Sequence, residues 1–164
     1  MNQLTVDNRR LTEKKEQEDC FVCRKHRGEI EIPGGVIYED DLLYVSHAQI
    51  RDGESKAFIG TLFIEPKRHA DGIEDLTEEE AAAVGRLARR LSRALKTLTE
   101  ADGIYLFRFG HHVHHFHLLL VPRYPGTPKE YLGTKVDEWP EAPFGDAQEI
   151  GKFCDQIRME LTRV

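Results

Sequence analysis

The stretch GHHVHHFHLLLVPRYP, residues 110–125, places five histidines within the seven positions 111–117 and then turns apolar. It is neither uninterrupted nor terminal, so it does not read as a purification tag. Imidazoles in a segment that otherwise looks like a buried strand need partners. Burial disfavours the charged ring, and each nitrogen requires a hydrogen bond, a metal or a ligand. A second chemical pattern stands at Cys20-Phe-Val-Cys23. That spacing lets two thiolates from one turn chelate a single ion.

One Cys-x-x-Cys supplies only half of a tetrahedral site, and the chain has no second pair. Cys154 falls in an apolar helical stripe, so the missing ligands are expected to be histidines, and His69 and His115 are the candidates. A closed Cys2His2 site leaves no position for water, which makes the zinc structural rather than catalytic. A redox dithiol is the competing reading, although the strand feeding a helix in a βαβ unit is missing around it. A pair with no special role is the third.

Strand parity then sorts the histidines. If 115–121 is a strand, His115, His117, Leu119 and Val121 share one face, while His114, Phe116, Leu118 and Leu120 share the other. The Phe-Leu-Leu face reads as core. His115 and His117 are then presented together, roughly 7 Å apart at about 3.3 Å per residue. His111, His112 and His114 are less constrained, and a solvent-facing or structural role is open for each. A metal-dependent hydrolase using this cluster directly would need an open metal position around 111–117.

The elements that must carry these residues follow from periodicity. VIYED and DLLYVSHA read as a hairpin or meander after Gly34-Gly35, and AFIGTLFIEP (57–66) reads as one strand ended by Pro66. Thr77-Glu-Glu-Glu80 is a capping-box pattern. It opens a helix to about Thr99, with Val84, Leu87, Leu91, Leu95 and Leu98 on one face and a solvated basic face opposite. IYLFRF (104–109) and HFHLLLV (115–121) read as two more strands, the second closed by Pro122. A last helix, about Asp146 to Leu161, carries Ile150, Phe153, Cys154, Ile157 and Leu161 on one stripe. The order is α+β.

With 164 residues the chain is read as one domain: a flexible arm over 1–17, a main body over 18–124, and a loop and helix over 125–164 that pack on it. The formal charge of −6 and the scattered basic residues argue against wrapping duplex nucleic acid. No apolar run is long enough to span a bilayer, so no membrane partner is expected. The polar N-terminus lacks a signal-peptide core, and the cytoplasm is the expected location. Trp139, in the loop WPEAPFGD, is expected to cap the core or a dimer seam, with stacking on a base as the alternative.

Four spaced segments, CFVCRKHRGEI, VIYEDDLLYVSHA, GTLFIEPKRHADGIEDLTEEE and GHHVHHFHLLLVPRY, resemble the zinc-containing branch of the histidine-triad (HIT) superfamily of nucleotide hydrolases and transferases. Gly110, Val113, His115, His117, Pro122 and Arg123 fall in register with its Gly-x-x-Val-x-His-x-His-x-His motif and the Pro-Arg beyond it. The resemblance covers roughly residues 18–124. It implies a half-barrel of antiparallel strands backed by helices and assembled as a homodimer. It also implies zinc on Cys20, Cys23, His69 and His115, and His117 as the nucleophile toward the α-phosphorus of a nucleotide or dinucleoside polyphosphate. Gly110 would allow close backbone approach and His112 would donate to phosphate. The sequence departs from the pattern at three places. Leu119 stands for the third histidine, His47 for the aspartate that binds ribose hydroxyls, and YLFRF for an Asn-rich stretch. A zinc-stapled binding module without turnover is the alternative function.

Overall fold

The computed structural model describes residues 18–163. The expected arm over 1–17 lies outside them. A short helix, α1 (Phe21–His26), is followed by strands β1 (Val36–Glu39), β2 (Leu43–His47), β3 (Ala57–Phe58) and β4 (Leu62–Pro66). The long helix α2 (Glu78–Thr99) comes next, then β5 (Gly103–Phe107), β6 (Leu118–Arg123), β7 (Phe144–Gly145) and helix α3 (Ala147–Thr162). Five strands form an antiparallel sheet in the order β1-β2-β4-β6-β5, and β3 pairs with β7 separately. The α+β class expected from the sequence is the one observed.

Both helices form where the sequence placed them, for local reasons. Thr77 Oγ1 accepts from the Glu80 N–H at 3.1 Å, and Glu80 Oε2 accepts from the Thr77 N–H at 2.8 Å. Arg68 clamps the same carboxylate with two hydrogen bonds, which ties the end of β4 to the start of α2. Asp146 caps α3 by accepting from the N–H groups of Gln148 and Glu149. The leucines of α2 and the whole Ile150–Leu161 stripe of α3 join Val45, Leu62, Ile64, Phe116 and Leu120 in one core. Burying each such side chain is worth about 1.5–3 kcal/mol.

The opposite face of the sheet is also covered. Phe58, Val121, Tyr124, Val136 and Ala142 form a smaller apolar cluster, with Tyr105, Phe107, Leu119, Trp139 and Phe144 against it. Trp139 thus caps an apolar cluster. Toward the β2 and β4 side of that face lies α1, whose Lys25 meets Ser46 and Glu65. No helix among the described residues is long and apolar enough to cross a membrane.

Strand boundaries differ from the sequence reading: β5 runs Gly103–Phe107 rather than 104–109, and three further differences have a local cause. The 57–66 run is two strands in two sheets, broken at Gly60, whose φ of +88° favours glycine. The expected 115–121 strand begins only at Leu118, because Phe116 N–H donates to the Ala70 carbonyl instead of continuing a ladder. The period-two alternation nevertheless persists through the irregular residues: Phe116 and Leu120 face the helices, while His117 and Leu119 face away. Finally, Pro122 does not close β6. At that point β4 has already ended its pairing, so the missing N–H breaks no ladder bond on that side.

A Cβ at Gly60 would lie 2.9 Å from Pro122 Cγ, in addition to the left-handed backbone cost. Gly60→Ala is therefore expected to lower stability by about 2 kcal/mol or more. The check is a shift of the urea midpoint with an unchanged slope.

Candidate metal centre and adjoining cavity

Cys20 is the extended residue preceding α1, and Cys23 lies in the first turn of that helix. The turn holds because Arg24 N–H donates to the Cys20 carbonyl at 2.9 Å. His69 follows β4, and His115 sits in the bend before β6. The ligand atoms of Cys20, Cys23, His69 and His115 all lie within 4.8 Å of one another. His115 Nδ1 is 3.5 Å from both sulfurs, and His69 Nδ1 is 3.4 Å from Cys23 Sγ. A tetrahedral ion with Zn–S near 2.3 Å and Zn–N near 2.05 Å has a sulfur-to-nitrogen edge of about 3.6 Å. The donor set therefore fits zinc in composition and in size.

The groups behind the ligands fit as well. His115 Nε2–H donates to the Pro66 carbonyl at 2.8 Å, which leaves Nδ1 bare toward the sulfurs. His69 Nε2 faces Asp71 Oδ1 at 3.4 Å, which favours the same tautomer. Burial pushes the His115 pKa down to about 4, so the ring is a neutral ligand. Burial and the neighbouring Cys20 push the Cys23 thiol up to about 12 in the bare protein. Thiolate character there requires a cation, which reverses that preference.

A cavity of about 630 Å3 lies beside this centre. Phe21, Val22 and Lys25 of α1, Phe63 and Glu65 of β4, Leu119 and Val121 of β6, and Thr134, Val136, Asp137 and Glu138 of the C-terminal segment line it, as does His117. His117 Nδ1–H donates to the His115 carbonyl at 2.8 Å, since a carbonyl can only accept. Its Nε2 therefore keeps an unshared lone pair. The two histidines share the Phe63 and Glu65 face: the His117 ring is 5.7 Å from that of Phe63, and His115 is 5.7 Å from His26, which bonds Glu65.

The remaining sequence candidates lie differently. His47 lines the cavity, but both of its nitrogens engage the backbone: Nδ1–H donates to Ala48, and Nε2 accepts from Gly60 N–H at 3.0 Å. Burial holds its pKa below the ordinary histidine value. Gly110 has φ +69°, and its neighbour Arg108 reaches across to the Asp71 carbonyl. His112 is exposed, and Val113 rather than Gly110 or His112 belongs to the cavity wall.

A buried ionic cluster escaped the sequence reading. Lys25 Nζ donates to Glu65 Oε1 at 2.7 Å and to Ser46 Oγ at 3.2 Å, while His26 Nε2–H donates to Glu65 Oε2 at 3.1 Å. Burial acts to raise the Glu65 carboxyl, but the His26 hydrogen bond and the Lys25 charge outweigh it and hold it below the usual range. The available signal was a glutamate at position 65, alternating with core residues Leu62 and Ile64 in LFIEP.

Comparison with known proteins places these features in context. The HIT domain family model matches residues 29–126. The protein hit of Bacillus subtilis (strain 168) is 28% identical over 114 residues, which span 65% of this chain and 72% of that one. The crystal structure of a hypothetical histidine triad nucleotide-binding protein from Sulfolobus tokodaii strain7 superposes with a TM-score of 0.67 at 19% identity, covering 88% of this chain and 93% of the other. A zinc-bound histidine triad family protein from Mycobacterium smegmatis gives a TM-score of 0.64 at 24% identity, covering 90% and 96%.

Two outcomes are expected. Elemental analysis of untagged protein should find one zinc per chain, lost in Cys23→Ala, with affinity lowered about 10- to 100-fold in Asp71→Ala. The second concerns His47. Its folded pKa lies below the unfolded value of about 6.5, so unfolded chains take up the proton first as pH falls. Its contribution is complete above about 6.5 and is lost as pH drops toward the folded pKa. His47→Gln, which keeps an acceptor for Gly60 N–H, should flatten the fall of the urea midpoint with acidification.

Proposed function

The chain belongs to the HIT domain family, and from that premise we propose that it hydrolyses or transfers nucleotidyl groups through a covalent intermediate on His117. The observation that carries the proposal is the ring's orientation. Its Nδ1–H is spent on the His115 carbonyl, and Nε2 is free in a cavity large enough for a nucleotide.

In the first step the Nε2 lone pair forms a bond to the α-phosphorus, and the bond to the leaving group breaks with its electron pair, the leaving group taking up a proton. In the second, water or a phosphorylated acceptor forms a bond to the same phosphorus, loses its proton, and the nitrogen–phosphorus bond breaks to restore the ring. Zinc would supply rigidity by holding the turn at Cys20 and the backbone of His115. That same backbone carbonyl orients His117. Imidazole attack thus depends on His115 for position, not for acid–base chemistry. Homodimer assembly and a cytoplasmic location belong to the same proposal.

Leu119 supports a second reading. It faces the cavity at a position from which the side chain offers no donor to phosphoryl oxygens, which fits a module that binds nucleotide without turnover.

Mixing the protein with a nucleoside phosphoramidate, a dinucleoside polyphosphate or a nucleotide sugar and quenching early should give a protein mass increased by one nucleotidyl group. His117→Ala should abolish the adduct and lower turnover about a thousandfold or more. Binding by calorimetry with no adduct and no turnover from any of the three would favour the module.

A further inference from the structure

Among the described residues, six charged ones line the cavity: Lys25, Arg51, Glu54, Glu65, Asp137 and Glu138. Arg51 and Asp137 pair at 3.0 Å, the arginine exposed and the aspartate half-buried, so they belong to the mouth. Lys25 and Glu65 are different. Their side chains are 5% and 2% exposed, and Lys25 sits against the rings of Tyr44 and Phe63, where an ion pair repays its desolvation only through close geometry and further hydrogen bonds. Phe63 locates them relative to the reacting end. Its ring centroid is 5.6 Å from Lys25 Nζ and 5.7 Å from the centroid of the His117 ring. A planar ring laid along Phe63, with its phosphate at His117, would bring its far edge toward Lys25 and Glu65.

We propose that the buried Lys25–Glu65 pair reads the edge of the ligand's base, selecting a ring carbonyl that adjoins a ring N–H, as in guanine or hypoxanthine. The inference rests on His117 being the group that meets phosphorus. Lysine has three N–H donors, and the hydrogen bonds to Glu65 and Ser46 use two. Each oxygen of the Glu65 carboxylate can accept more than the one bond it receives from Lys25 or His26. The pair therefore presents a donor and an acceptor 2.7 Å apart, the complement of a carbonyl and its neighbouring N–H. A base with an amino group in place of that carbonyl, and a bare nitrogen in place of the N–H, would set donor against donor and acceptor against acceptor. Sites that hydrogen-bond one functional group discriminate strongly against analogues lacking it.

The test is calorimetry on the full-length protein as purified, using GMP, IMP, AMP and ribose 5-phosphate as probes. GMP and IMP are expected to bind at least about 10-fold more tightly than AMP. In Lys25→Met/Glu65→Gln the pair is replaced without leaving a lone buried charge, and a hydrogen-bond acceptor remains for His26. There the ratio should fall to within about 2-fold, while ribose 5-phosphate binds as before. A purely structural pair would not move that ratio. AMP bound as tightly as GMP by the natural chain, a ratio unchanged in the double variant, or no binding of any mononucleotide would each overturn the inference. Should the double variant fail to fold, Glu65→Gln alone is read for the same fall in the ratio. The His117 reading is judged separately by the nucleotidyl adduct, so either proposal can fail while the other stands.

Discussion

The pocket face of this protein depends on the convergence of four donor side chains from three separated segments. Cys20 and Cys23 come from the start of α1, His69 from the end of β4, and His115 from the bend before β6. Ninety-five residues separate Cys20 from His115, and closing such a loop carries an entropic cost that a shared cation offsets. The polarity of the histidine rings is decided behind the ligands. Pro66 and Asp71 face the Nε2 side of His115 and His69, so that Nδ1 of each points inward.

That constraint propagates by one short link. The His115 carbonyl accepts from His117 Nδ1–H. Fixing His115 therefore also fixes which nitrogen of His117 faces the cavity. Two histidines of the same motif thus have different work: one belongs to the metal centre, and the other is oriented by it. Between them Phe116 points the opposite way and is buried in the helical core at 1% exposure, so rotating the segment to exchange these roles would expose a phenylalanine.

The ionic cluster of Lys25, Glu65, Ser46 and His26 joins the metal centre to the cavity, whose wall Lys25 and Glu65 form in part. The His26 ring is 5.7 Å from His115, and its Nε2–H bonds the carboxylate that Lys25 also holds. A lone charge at either position would be strongly destabilising, whereas the pair with its hydrogen bonds is tolerated. The apolar clusters on the two faces of the sheet leave this corner as the polar wall of an otherwise aromatic space.

Much of this was written in local order. The Thr77–Glu80 cap, the leucines of α2, the stripe of α3 and the Cys-x-x-Cys turn each depend on neighbours within a few residues, so periodicity and spacing determined them. The donor count of a tetrahedral ion extended the same logic to His69 and His115. Other features rest on contacts between distant segments. Gly60 breaks a run that reads as one strand, because the chain there must pass Pro122 and give its N–H to His47. Phe116 leaves the ladder for the Ala70 carbonyl, which delays β6. Lys25 and Glu65 stand forty residues apart and become a pair only when α1 settles on the sheet. Residue type and spacing thus determined the two long helices, the inward face of the 115–121 segment and the metal donors. Tertiary structure alone decided where strands break, which ring nitrogen is free and which charges meet, because those depend on partners that only folding brings within hydrogen-bond range.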